Sequence, residues 1–92
     1  MLLENIKVIS VNEPRSGVSE TTGKPWSQRS ILLGFEDETG ESYLLAKVDS
    51  ALWDSLGYSE GQTVSLNLRF RTKRYRGDWV ANDVRIVRNV EQ

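Results

Sequence analysis

The chain contains no cysteine and no histidine. Without cysteine it has neither a disulfide framework nor a thiolate metal site. Without histidine it lacks the usual general base and the commonest metal ligand, so catalysis would fall to carboxylates, lysine, tyrosine or serine. No paired carboxylates stand at a telling spacing, and Asn67, Asn82 and Asp83 form no catalytic pattern, so no enzyme and no cofactor are expected. No stretch approaches the ~20 apolar residues of a membrane-crossing helix. The opening Met1-Leu2-Leu3-Glu4-Asn5 lacks the basic and apolar regions of a signal peptide, and a cytoplasmic protein is expected.

What is present suits one small domain over residues 1–92, with 38% hydrophobic and 27% charged residues. The net charge of −1 hides an asymmetry. Residues 1–61 carry 5 Lys+Arg against 10 Asp+Glu, and residues 62–92 carry 7 against 3. A basic end on an otherwise acidic domain points to a local anion-binding surface.

Leu2 to Val11 is rich in Ile and Val and reads as a first strand. Pro14 to Lys24 reads as a polar loop with two glycines. From Pro25 to Asp37 a second strand turns Ile31, Leu33 and Phe35 to one side and Gln28, Ser30 and Glu36 to the other. Asp37-Glu38-Thr39-Gly40 signals a hairpin, and Glu41 to Val48 returns as a third strand. The period then changes: Asp49 or Ser50 caps a short helix, Leu52, Trp53 and Leu56 share one face, and Gly57 stops it. In the fourth strand Val64, Leu66, Leu68 and Phe70 alternate with Ser65, Asn67, Arg69 and Arg71, which predicts one face in the core and one in water. Lys73 to Asp78 reads as a hairpin tip, and Trp79 to Val90 as a fifth strand with Val80, Val84 and Ile86 inward.

Three strands, a short helix and two more strands is the order of the all-β, five-stranded Greek-key barrel known as the OB-fold, with its helix between strands three and four. A small β-sandwich would want about seven strands.

Between Arg69 and Arg76, Arg69, Arg71, Lys73, Arg74 and Arg76 are basic, with Phe70, Tyr75 and Trp79 interleaved or adjacent. In an OB barrel this is the outer face of the fourth strand and the following loop, which flanks the groove where oligonucleotides lie. Cations track phosphates and aromatic rings give sequence-tolerant stacking platforms. Trp26 and Gln28, with Ser30 on the same parity and Arg29 nearby, can extend the candidate surface, Trp26 standing open between packing and binding, and Arg15 and Lys24 stand in the first loop. A Lys/Arg-rich hairpin also serves as a device against edge-to-edge aggregation, so both readings stay open here. Phe70 is expected in the core, Trp53 as a core plug, and Trp79 outward as a platform. Glu36, Asp37, Glu38 and Glu41 read as solvated turn chemistry rather than a cation site.

Gly23-Lys24-Pro25-Trp26 leading into Arg29-Ser30-Ile31-Leu32, the apolar helix around Leu52-Trp53, the Glu60 to Val64 entry to the fourth strand, and Arg76-Gly77-Asp78-Trp79 carry a resemblance. The chain resembles, over residues 1–88 or so, a small bacterial family of uncharacterised OB-fold proteins similar to single-stranded-DNA-binding proteins. The resemblance implies an OB barrel and single-stranded DNA binding. No acidic, low-complexity tail of the kind that recruits partners to classical single-strand-binding proteins is present.

The resulting expectation is a non-catalytic binder of single-stranded DNA or RNA, working through Trp26, Gln28, Arg69, Arg71, Lys73, Arg74, Tyr75, Arg76 and Trp79. Homo-oligomerisation is left open, and no membrane partner or metal site is expected. The alternative is a protein–protein module, an accessory subunit in DNA replication, repair or conjugation that holds a peptide in the same groove.

Overall fold

Alternating apolar residues build the strands, and their pairing closes them into a barrel. The structure, a computed structural model, describes residues 1–88, the side chains at 73, 75 and 79–82 excepted. The elements are β1 (Leu2–Val11), β2 (Arg15–Val18), β3 (Pro25–Asp37), β4 (Gly40–Asp49), α1 (Ser50–Leu56), β5 (Thr63–Tyr75) and β6 (Asp78–Val87). The sheet runs β1-β5-β6-β4-β3-β2, and a further β1–β3 pairing closes five of these strands on themselves. Every ladder is antiparallel except β4–β6, which meet in parallel at Lys47 and Arg85. This is the closed mixed barrel of the OB type, with one short helix between the third and fourth barrel strands.

The inner face is apolar. Ile6, Val8, Ile31, Leu33, Ala46, Val48, Val64, Leu66, Leu68, Val84 and Ile86 are buried, and α1 adds Leu52 and Trp53. A helix this short has little stability of its own and depends on that packing. Asp49 caps it by accepting from the Leu52 amide at 3.2 Å, and Gly57 ends it at φ 70°. Tyr58 stands edge-on to Trp53, with ring centroids 5.9 Å apart.

Three sequence expectations need correction. Residues 15–18 are not loop: they pair with Pro25–Gln28 as β2, so the barrel carries a two-stranded arm at the start of β3. Phe70 keeps the inward parity of Leu66 and Leu68 but is 48% exposed. The reason is the end of its neighbour: β1 begins at Leu2, opposite Asn67, and beyond Leu68 the β5 strand pairs with β6 alone. Correct parity buries a side chain only while a barrel wall faces it. Arg29, placed near the binding surface by sequence, shares the odd, inward parity of Ile31 and donates from Nη1 to the Asn12 carbonyl at 3.0 Å. It ties down the chain leaving β1.

The predicted second, third, fourth and fifth strands correspond to β3, β4, β5 and β6. The expectations for Val80 and Val90 lie outside the described residues. Thr72 pairs with Asn82 and Lys73 with Val80, so β6 carries one extra residue between them. Counting alternation back from Val84 to Trp79 crosses that bulge, and the parity argument made for Trp79 does not carry through it.

Candidate nucleic-acid interface

The outer face of β3, β4 and β6 joins two groups of residues that are far apart in sequence. Trp26 and Gln28 lie at the start of β3, where Gln28 pairs with Arg15 of β2 on one side and Asp49 of β4 on the other. Trp26 pairs with Gly17. A methyl group at Gly17 would lie 2.8 Å from Trp26 Cζ2 and 3.1 Å from Cε2, so the indole rests on bare backbone. Glycine in a strand often marks such a close approach. The ring is 42% exposed despite this contact.

Trp26, Ser27, Gln28 and Asp49 line a cleft of about 360 Å³ whose remaining wall is Arg85 of β6. Arg85 in turn pairs with Lys47 of β4 and Arg69 of β5. Lys47, Arg85 and Arg69 therefore form one rung of three cations across three adjacent strands. Like charges directly opposite one another destabilise a sheet. Asp83 offsets part of this, its Oδ2 accepting from Arg85 Nε at 3.0 Å. Arg71 pairs with Asp83 one step further along the same outer face.

Beyond the rung, β5 and β6 continue as a hairpin in which each strand pairs with the other. Arg71, Arg74 and Arg76 are exposed along it. Arg76 and Gly77 form its two-residue tip with φ 51° and 85°, the positive-φ pair that a tight hairpin turn of matching twist requires. Arg74 Nη2 donates to the Gly77 carbonyl at 3.0 Å, bracing the tip. The side chains of Lys73, Tyr75 and Trp79 lie outside the described residues. The structure thus connects Trp26 and Gln28 with Arg69 and Arg71, and the connection is Arg85.

Lys47 and Arg85 are absent from the sequence-derived site. Strand alternation places each outward, but only the register of the parallel β4–β6 contact puts them beside each other and Arg69. Tyr43 and Leu45 were missed as well. Both are 57% exposed on the outer face of β4, and Tyr43 shares the surface over Gly34 with Ile9, whose side chain lies 3.0 Å from where a Cβ on Gly34 would stand. Ile9, Gly34, Glu36, Glu41 and Tyr43 belong to a second, shallow groove of about 370 Å³. The Tyr43 hydroxyl donates to Glu41, and that hydrogen bond, with the Glu41 charge, raises the phenol above its ordinary pKa.

The acidic turn behaves as turn chemistry. Asp37 accepts from the Thr39 amide at 2.8 Å, from the Thr39 hydroxyl, and from the Ser42 hydroxyl at 3.2 Å. Among the described residues no cluster of three or more ligating side chains is placed to hold a metal ion.

Compared with models of known families, with curated proteins and with solved structures, the chain matches none. The barrel rests on its own strand pairing, and no family is assigned to it.

Proposed function

We propose that the protein binds single-stranded nucleic acid, DNA being the first choice, along the track that runs from Trp26 across Arg85 to the β5–β6 hairpin. The observation that carries this reading is the rung Lys47–Arg85–Arg69. Three cations held side by side cost stability in the free protein, and a polyanion lying over them removes that cost. Trp26 at one end supplies an aromatic face for a base, and the exposed arginines at the other end continue the phosphate path.

The test is a fluorescence titration with single- and double-stranded oligomers at several salt concentrations. If about 3–4 phosphates are neutralised, log K against log salt should fall with a slope of about −2 to −3 for the single strand. Replacing Lys47, Arg69 and Arg85 together by serine should flatten that slope and weaken binding strongly. Absence of binding at low salt, or unaltered binding by the triple variant, would overturn the reading.

The exposed apolar group Ile9, Tyr43 and Leu45 favours a second reading, a protein partner on the outer face of β1, β3 and β4. Leu45→Glu separates the two. It should abolish capture of a protein partner while leaving the salt-dependent binding of oligomers in place.

A further inference from the structure

The cleft beside Trp26 has an edge as well as a platform. Gln28 and Asp49 are direct partners in the β3–β4 ladder, at outward positions, and together they form the cleft wall next to the indole. Their hydrogen-bonding capacities differ. Asp49 is acceptor-only, and while Oδ2 holds the Leu52 amide at 3.2 Å, Oδ1 meets no protein donor among the described residues. The Gln28 amide makes no side-chain hydrogen bond with protein among those residues, so its NH₂ is available as a donor. Ser27 is already engaged, sharing a 2.8 Å hydrogen bond with Ser50. The cleft therefore offers the Gln28 amide, able to donate, beside a carboxylate whose Oδ1 and remaining Oδ2 lone pair accept, at the rim of an exposed indole.

From this pattern we infer that the cleft selects guanine from a single strand. The inference rests on the nucleic-acid reading above and concerns which base the track accepts. Guanine alone among the four bases presents an acceptor, O6, next to two adjacent donors, N1–H and N2–H₂. O6 takes the Gln28 N–H, and the two donors meet the Asp49 carboxylate. Adenine and cytosine carry one acceptor beside one donor, so a ring nitrogen on the Gln28 N–H and an amino group on Asp49 make only two of these three hydrogen bonds. Thymine brackets its one N–H with two carbonyl oxygens. Arg85, held through Nε by Asp83 at 3.0 Å, keeps its two Nη groups for the adjoining phosphate. The cleft, at about 360 Å³, falls within the size range of small-ligand sites.

The experiment uses the full chain and short oligothymidylate strands with one central substitution, followed by tryptophan quenching. A central dG should bind about tenfold more tightly than the all-thymidine strand, the scale of one good bidentate base contact. Central dA and dC should bring no comparable gain, and deoxyinosine, which lacks the N2 amino group, should fall between dG and dT. Asp49→Asn keeps a good helix cap, and in it the ratio of dG-strand to all-thymidine affinity should fall most of the way to one. Equal binding of all four central bases would overturn guanine selection and leave the strand-binding reading standing. So would a full dG preference in Asp49→Asn. Failure of every strand to bind would remove the strand-binding reading itself.

Discussion

Gly17 faces Trp26 across the β2–β3 arm so closely that the indole covers the position a side chain would occupy. Gly17 is not among the positive-φ glycines, so its substitution by alanine adds a methyl group without backbone strain. Gly17→Ala should lift the ring from its seat and change the tryptophan emission. It should also weaken oligomer binding by part of the ~1–3 kcal/mol that a stacked base contributes. Unchanged emission and unchanged binding would show that the ring does not depend on this contact.

Leu68 and Phe70 share a strand and a parity but differ in burial, at 1% and 48% exposure. Leu68→Ala should cost about 2–5 kcal/mol, a large share of the stability of a domain this size. Phe70→Ala should cost about 1 kcal/mol or less, since much of its ring is already in water. Denaturant midpoints of the two variants compare them directly. Equal losses would mean that the barrel wall extends past Leu68.

Arg76 holds a left-handed conformation at φ 51° in the hairpin tip, next to Gly77. Asparagine adopts that conformation with less strain and is the preferred first residue of such a turn. Arg76→Asn should therefore relieve about 1 kcal/mol of backbone strain at the tip, set against the contacts the arginine itself makes. The same change removes a cation from the proposed track and should lower affinity at low salt. Stability rising while binding falls would indicate that the arginine serves a ligand rather than the fold.

Asp37 gives the β3–β4 turn an acid-sensitive joint. Its pKa is lowered, first by the Thr39 hydroxyl and then by the Thr39 amide, with Ser42 and Gly40 adding smaller contributions. The folded turn thus binds fewer protons than the unfolded chain below the ordinary aspartate value of about 3.9. The stability this contributes is present above that value and is lost as pH falls through the lower, folded pKa. A carboxylate titration by NMR should place the Asp37 midpoint below the ordinary aspartate value of about 3.9. In Asp37→Asn the turn should lose its own response to acid over the same range.

Much of the barrel was legible from residue order. Strict alternation in Val64–Arg71 and the change of period at Asp49–Leu56 mark their elements because burial on one face imposes a period on the chain. The arm formed by β2 was not legible. Arg15-Ser16-Gly17-Val18 is too short and too polar to show alternation, and it becomes a strand only because β3 offers a paired edge. Phe70 was misplaced for a related reason: alternation tells which side a residue faces, not whether another strand stands there.

The candidate site divides along the same line. The amino-acid sequence by itself determined the inventory: a basic, aromatic hairpin near the carboxyl end, Trp26 and Gln28 at the start of a strand, and an order of elements that closes as a barrel. Local periodicity and charge are properties of neighbours in the chain, so they can be read without a fold. Only the tertiary structure decided that Arg85 stands between Lys47 and Arg69, and that Asp49 stands beside Gln28. Those relationships depend on the register between strands distant in sequence, and a slip of one residue would turn each side chain to the opposite face.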